Sequence, residues 1–115
     1  MPFIAVNTSC TLTKAQKDDI KTNLGKLIEI LPTKSEKGLM VDICDNHSLY
    51  FAGNEMEKAA FIDLRLFKES PFESKREFYI ALCKMLDEVA GIEAANVYFN
   101  AIELQNWGSR GDFRQ

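Results

Sequence analysis

The stretch Ala59–Phe67, A-A-F-I-D-L-R-L-F, decides how this chain folds. Its apolar residues continue around Asp63 and Arg65 in the alternation that is typical of a β-strand. The pair Ser70–Pro71 then predicts a helix start, with Ser as the N-cap and Pro at the first helical position. Gly91 predicts the end of that helix, because a residue without a Cβ easily takes the left-handed conformation. Between these limits, apolar residues recur at helical spacing: Phe78, Leu82, Met85, Leu86 and Val89.

The first half of the chain has the same order of elements. F-I-A-V-N-T at Phe3–Thr8 predicts a strand. Thr13 with Gln16 three residues later forms the pattern of a capping box at a helix start. Pro32 ends that helix, because proline cannot continue it, and Leu39–Cys44 predicts the strand that follows. The apolar face of the helix is predicted to carry Ile20, Leu24, Leu27, Ile28 and Leu31.

The two halves together predict a fold of the α/β (α+β) class, built as a tandem βαβ repeat. Val97–Ile102 is the last main strand, and Asp45–Lys58 joins the halves. A short extra strand is predicted at Leu49–Phe51 and a polar tail at Gln105–Gln115. Each βαβ unit should be right-handed with its two strands parallel. We therefore expect a four-stranded mixed sheet with two helices on one face, in a single domain of residues 1–115.

The other face of this sheet also needs cover. Phe3–Val6 and Val97–Phe99 show little polar alternation, which is typical of strands that are buried on both faces. A chain of 115 residues has no elements left to cover that face. Self-association is therefore the simplest prediction.

Composition and charge exclude several classes of protein. The chain is 46% hydrophobic and 27% charged, as expected for a soluble globular domain. Its formal net charge of -3 argues against nonspecific binding to nucleic acid. No run approaches the ~18 consecutive apolar residues of a membrane span, so no membrane partner is expected. The N-terminal residues do not have the pattern of a secretory signal, so we predict a cytoplasmic location. Export by a route without a signal peptide stays open.

The cysteines and the single histidine argue against metal and disulfide chemistry. Cys10, Cys44 and Cys83 are odd in number and widely spaced, and no pair has C-x-x-C spacing. No cluster of ligands surrounds His47, which we place in a loop. One histidine also makes a Ser-His-Asp or Cys-His enzyme a poor hypothesis. We therefore expect no metal and no cofactor, and we expect the cysteines to be small core residues.

Pro2 is the most unusual candidate for chemistry. An initiator methionine is commonly removed before a small residue, which would leave Pro2 with a secondary amine at the terminus. Ordinary α-amino groups titrate near ~8. Apolar burial beside a cation lowers the pKa of such a group, and a neutral amine is a competent general base. Many chains begin with Met-Pro and have no such chemistry, so this residue alone does not decide the function.

The sequence as a whole resembles the macrophage migration inhibitory factor (MIF) family of the tautomerase superfamily. Met1–Thr8, M-P-F-I-A-V-N-T, is similar to the opening of that family, and Lys34 matches its active-site lysine. F-A-G-N at Phe51–Asn54 resembles the F-G-G-S/T turn of the family. N-V-Y-F-N at Asn96–Asn100 resembles its R-V-Y-I-N strand, and Trp107–Phe113 is similar to its C-terminal W-x-x-N-G-S-T-F. These motifs occur in the family's order over nearly the full chain.

The resemblance implies a MIF-like homotrimer whose active site lies between subunits. It also implies an isomerase of the phenylpyruvate or dopachrome tautomerase type, acting on a small aromatic α-keto acid. Pro2 would be the catalytic base, and Lys34 would bind the substrate and help to keep Pro2 neutral. The backbone N–H of Leu66 would contact the substrate carboxylate. Tyr98 and Asn100 of the neighbouring subunit would complete the pocket.

The sequence also departs from the family pattern. Phe67 stands where the family usually has a glycine, and Gly38 replaces a pocket aromatic of animal-type members. The animal-type C-x-x-C motif is absent, so no thiol oxidoreductase activity through it is expected. Arg110 and Asp112 make the C-terminal tail more charged than that of the family. The changes at Phe67 and Gly38 predict an altered pocket, and the charged tail predicts altered trimer packing or an altered substrate preference.

Two other functions stay open at this level. One is a noncatalytic cytokine-like protein that keeps the pocket and binds a protein receptor. The other is a ferredoxin-like module that binds a ligand. The candidate residues have ordinary explanations as well: Lys34 lies in a polar turn, Tyr98 fits a packing role, and Leu66 fits the core.

Overall fold

The computed structural model describes all residues, Met1–Gln115, and contains two helices and eight strands. Four strands build the main sheet, and the other four form two small hairpins. The helices are α1 (Lys14–Leu27) and α2 (Phe72–Ala90). The strands are β1 (Pro2–Thr8), β2 (Met40–Cys44), β3 (Tyr50–Phe51), β4 (Asn54–Glu55), β5 (Ala60–Phe67), β6 (Val97–Leu104), β7 (Trp107–Ser109) and β8 (Asp112–Arg114).

The main sheet has the strand order β2-β1-β5-β6. The outer pairs, β1 with β2 and β5 with β6, are parallel, and the central pair of β1 with β5 is antiparallel. This arrangement confirms the mixed four-stranded sheet and the parallel strands within each βαβ unit. The central pairing also sets Pro2 opposite Leu66 in register, which brings the start of β1 to the end of β5.

Both helices pack on one face of this sheet, as the sequence predicts. The inward residues of β1, such as Ile4 and Val6, are completely buried together with Leu24 of α1 and Leu82 of α2. Twenty buried apolar residues form this single cluster. Burial of one such large aliphatic side chain contributes about 1.5–3 kcal/mol, so this face holds the fold together.

The helix ends follow their local signals with one exception. The Thr13–Gln16 capping box is present at the start of α1, and Gly91 ends α2 in the left-handed conformation at φ 67°. The predicted N-cap at Ser70 is wrong, because Pro71 takes that position without a side-chain cap. The backbone N–H of Ser70 instead donates to Glu103 Oε2 at 2.7 Å. The first helix ends at Leu27 and is extended by a 3₁₀ turn before Pro32.

The C-terminal segment is a hairpin, and the prediction of a polar tail there is wrong. Strands β7 and β8 pair antiparallel around a turn in which Arg110 and Gly111 have φ of 52° and 77°. Three-residue strands carry too little periodicity for a sequence pattern to identify them. The predicted extra strand at Leu49–Phe51 is present as β3 and pairs with β4 across a similar turn at Ala52–Gly53.

The second face of the main sheet is open in the single chain. Phe61, Asp63 and Arg65 of β5 alternate with the buried residues and lie beside Tyr98 and Asn100 of β6. Tyr98 is 61% exposed and Phe61 is 39% exposed. No helix covers these side chains. The open face therefore has the apolar character that the sequence predicts, but within one chain nothing covers it.

Candidate active site

A cavity of about 790 Å³ lies at the end of the sheet where β1 begins. The start of β1, the segment before β2 and the C-terminal hairpin form its walls. Thirteen residues line it: Met1, Pro2, Phe3, Lys37, Gly38, Met40, Arg65, Leu104, Trp107, Gly108, Ser109, Arg110 and Arg114. This volume is within the usual range of ligand sites, about 300–1,000 Å³.

Pro2 is buried at the first position of β1, between the neighbouring strands β2 and β5. Proline is tolerated there because the first residue of a strand need not donate a ladder hydrogen bond. The pairing with Leu66 and the adjacent pairing of Phe3 with Met40 fix the backbone on both sides. Pro2 is therefore held rigidly at the cavity wall.

The N-terminal amine lies beside Lys34. Burial lowers the pKa of the Met1 amine below its usual value of 8.0, and the ammonium group of Lys34 lowers it further, with a smaller effect from Arg114. Lys34 Nζ also donates a hydrogen bond to the carbonyl oxygen of Phe67 at 3.4 Å. A cation next to an amine disfavours the protonated form. The site therefore favours a neutral amine at the terminus.

The side chain of Met1 is held by the C-terminal hairpin. Ser109 Oγ and Arg114 Nη2 each lie 3.1 Å from Met1 Sδ, and they lie 3.1 Å from each other. The thioether thus occupies the part of the cavity next to β7 and β8. These contacts have no signal in the sequence, because the partners are more than 100 residues apart in the chain.

Four cationic side chains line the cavity and no acidic side chain does: Lys37, Arg65, Arg110 and Arg114. The chain as a whole carries a formal net charge of -3, so positive charge is concentrated at this site against the overall balance. The charge of the tail at Arg110 is visible in the sequence, but its place at this cavity is not. A cavity lined in this way attracts anions.

The structure brings only some of the predicted site residues together. Pro2, Lys34 and Leu66 lie at the same end of the sheet, and because the Leu66 side chain is completely buried, only its backbone can face a ligand. Tyr98 and Asn100 are on β6, opposite Phe61 and Asp63 of β5, and not at the level of Leu66 where Pro2 lies. Tyr98 lines a separate apolar cavity of about 390 Å³, with the ring of Phe51 5.1 Å away.

The two departures from the family pattern have different consequences. Phe67 does not line the cavity; its ring packs 6.4 Å from that of Trp107, with Lys68 Nζ 5.1 Å from its centre. Gly38 does line it, and a Cβ at this position would lie 3.8 Å from Met1 Cα and 3.9 Å from Pro2 Cδ. The expectation of an altered pocket therefore applies to Gly38, which leaves space directly beside Pro2.

Two kinds of structural feature are absent from the chain. No group of three or more His, Cys, Asp or Glu side chains is placed so that it could hold a metal ion. Neither helix combines the length and the apolar composition needed to cross a bilayer.

Solved structures that resemble this chain share one architecture. The MIF2 protein of Leishmania major superimposes with a TM-score of 0.91 at 18% identity, over 98% of this chain and 97% of that one. A MIF-like protein of Entamoeba histolytica gives 0.86 at 24% identity, over 97% of each chain. The chain has the MIF fold.

A third structure with the MIF fold extends the comparison. The protein Pt0534, solved after inactivation by 2-oxo-3-pentynoate, matches with a TM-score of 0.84 at 14% identity, over 95% of this chain and 93% of that one. No family model matches the sequence, and no curated protein matches it. The resemblance predicted from the ordered motifs is therefore confirmed for the fold.

Proposed function

We propose that this chain is a keto–enol tautomerase whose general base is the amine of Pro2 after removal of Met1. Its substrate would be an α-keto acid, with phenylpyruvate as the aromatic test compound. The observation that carries the proposal is a buried proline that begins a strand at the wall of a cationic cavity. The MIF fold supports the same hypothesis.

The charges around the terminus suit an amine that acts as a base. Burial and Lys34 lower the pKa of the Met1 amine, and both would act in the same direction on a Pro2 amine once Met1 is removed. Lys34 would then have a second role, because an ammonium group can bind the substrate carboxylate or stabilise the developing enolate oxygen. The backbone N–H of Leu66 is proposed as a further donor to the carboxylate.

The reaction needs only a proton shuttle. The neutral amine of Pro2 takes the proton of the enol O–H, and the C2–O bond becomes a carbonyl. The resulting ammonium returns a proton to C3 as the carbon–carbon double bond is lost. No net charge is gained or lost, and no cofactor takes part in the step.

We further propose that the active form is a homotrimer. Strand residues rise about 3.3 Å each, so Tyr98, five residues before Glu103, lies about 16 Å along β6 from the level of Leu66. Tyr98 therefore cannot reach Pro2 of its own chain. A neighbouring subunit that covers the open face would bring Tyr98 and Asn100 towards the cavity.

The decisive experiment compares chains that differ only at the N-terminus. Phenylpyruvate enol-to-keto conversion is followed by ultraviolet absorbance, and mass spectrometry confirms the terminal residue. We expect activity when Pro2 is the first residue. Activity should be lost when one alanine is inserted before Pro2, because the proline nitrogen is then an amide without basicity.

Two further tests locate the base. Pro2→Gly should keep the fold and lower the rate by about two orders of magnitude or more, the size of a general-base contribution. Treatment with 2-oxo-3-pentynoate, which inactivated Pt0534, should add one reagent mass at Pro2. Full activity of the alanine-insertion chain would exclude Pro2 as the base.

A noncatalytic binding role is the second candidate, and one observation favours it. In the chain that retains Met1, the Met1 side chain fills part of the cavity through its contacts with Ser109 and Arg114. A protein that keeps Met1 in the cell would therefore be inactive. Absence of turnover from a chain with a confirmed free Pro2 would support this candidate.

A further inference from the structure

We propose that the place taken by the Met1 side chain is a subsite for a second anionic group, so that the preferred substrate is a 2-oxo acid with a terminal anion. The inference rests on the proposed function, because the subsite opens only when Met1 is removed. It names a substrate class that differs from a simple aromatic monoacid.

The donors around Met1 are better suited to an anion than to a thioether. Arg114 Nη2 and Ser109 Oγ both lie 3.1 Å from Met1 Sδ. A thioether sulfur is only a weak acceptor. A carboxylate or phosphoryl oxygen forms shorter and stronger bonds to a guanidinium group. Arg114 Nη2 also donates to Ser109 Oγ at 3.1 Å, so the two side chains form a linked pair. Removal of Met1 empties the place of the sulfur beside this pair, and no acidic side chain among the lining residues of the cavity replaces it.

Nearby acidic groups do not neutralise this subsite. Asp112 Oδ2 is 3.8 Å from Arg114 Nη1, but the Asp112 side chain is 74% exposed, so solvent screens the pair. Arg65 is paired with Asp63 at 3.3 Å. Lys37 and Arg110 also line the cavity and form no ion pair.

The two ends of such a substrate have separate partners. Arg114 Nη2 lies 3.1 Å from Met1 Sδ, at the side of the cavity formed by the C-terminal hairpin. Lys34 bonds to Phe67 near the end of β5, whereas Arg114 is on β8. Lys34 does not itself line the cavity, whereas Pro2, Ser109 and Arg114 do. The α-keto carboxylate would bind at the end of the cavity nearest Lys34 and the terminal anion at Arg114 and Ser109, with the reacting carbon near Pro2. A cavity of about 790 Å³ has room for a six-carbon diacid.

The test uses a matched pair of six-carbon probes, 2-oxoadipate and 2-oxohexanoate, which differ only by the terminal carboxylate. Exchange of the C3 protons in D₂O, followed by proton NMR, measures tautomerisation of both. Titration calorimetry measures binding. We expect kcat/KM and affinity to favour 2-oxoadipate by about tenfold or more, the effect of one charge-assisted contact, mainly through KM.

Variants locate the subsite. Arg114→Gln should bring the ratio of the two probes close to one, whereas Arg76→Gln, which removes the same charge from the exposed surface of α2, should leave the ratio unchanged. Circular dichroism checks that each variant is folded. A third probe, 2-oxo-5-phosphonopentanoate, distinguishes a carboxylate from a phosphoryl group as the preferred anion.

The outcomes separate this inference from the proposed function. Equal exchange and equal binding of the two six-carbon probes by the wild-type chain would overturn the subsite while the tautomerase proposal stands. Selective binding of 2-oxoadipate that Arg114→Gln abolishes, with no exchange of any probe, would support the subsite and contradict the tautomerase proposal.

Discussion

At the residue scale, the proposed chemistry depends on the charge next to the terminal amine. Lys34 disfavours the protonated amine, and activity requires the neutral form. Lys34→Gln should therefore raise the pKa of the Pro2 amine. The rate is lost as the pH falls through that pKa, so the acidic limb of the kcat/KM profile should move to higher pH. Measurement of phenylpyruvate turnover between pH 5 and 9 (roughly the range around an α-amino pKa) would show the shift.

The control for this prediction removes a lysine charge elsewhere. Lys84 is exposed on α2, away from the cavity, so Lys84→Gln should leave the profile in place. A lower rate for Lys34→Gln with an unshifted acidic limb would show that Lys34 only binds substrate. A full pH profile distinguishes an effect of Lys34 on substrate binding from an effect on the pKa of the amine, whereas a single rate does not.

Some site residues could be found from the sequence and others could not. Pro2 and Lys34 are within short motifs, so the resemblance names both as candidates, and their role stays a prediction. Arg114 and Ser109 have no such motif, and their relation to Met1 exists only because the C-terminal hairpin folds back over the start of β1. The cationic lining could not be predicted, because its four residues come from three separate segments of the chain: Lys37, Arg65, and Arg110 with Arg114.

At the scale of elements, Glu103 joins β6 to the start of α2. Its Oε2 accepts a hydrogen bond from the Ser70 N–H at 2.7 Å, and its Oε1 is 2.9 Å from Lys75 Nζ. The bond from Ser70 and the charge of Lys75 hold the pKa of Glu103 below its usual value of 4.5. Pro71 provides no side-chain cap for α2. The Glu103 carboxylate therefore holds the backbone just before the helix start, a role that an N-cap side chain usually has.

Glu103→Gln should lower the free energy of unfolding by about 1 kcal/mol at pH 7, the usual effect of such a bond. A depressed carboxyl pKa stabilises the folded chain above the unfolded-state value, and this stabilisation is lost as the pH falls through the folded-state value. The difference between variant and wild type should therefore shrink below about pH 4. Urea unfolding at several pH values measures it. With Glu77→Gln, an exposed change on the same helix, no such pH dependence should appear.

The larger elements follow from local sequence, and the small ones depend on tertiary contacts. The capping box, Gly91, the apolar run of β1 and the alternation in β5 each have a physical cause within a few residues. The N-cap of α2 was predicted wrongly because Glu103, which binds the Ser70 N–H, is 33 residues away. Strands β7 and β8 are too short to show a periodic pattern in the sequence. They depend on tertiary packing, such as that of Trp107 against Phe67.

At the scale of the whole molecule, the two faces of the main sheet differ in how far their side chains are buried. The helix-covered face holds the core, whereas the open face exposes Phe61 and Tyr98. On the open face Asp63 Oδ1 is buried without a hydrogen-bond partner. Buried polar atoms in native proteins are generally paired. A second copy of the chain over this face would exclude water from the apolar side chains and could supply a donor to Asp63.

The trimer proposal predicts a coupling between mass and activity. Sedimentation equilibrium should give three times the chain mass of 13.1 kDa, and specific activity should fall on dilution in step with dissociation. Phe61→Lys places a charge on the open face and should abolish both the trimer and the turnover. Phe72→Lys, which changes a 70% exposed phenylalanine on α2, should affect neither. A monomeric Phe61→Lys chain with full activity would mean that the site is complete within one subunit, and Tyr98 and Asn100 would then have no part in it.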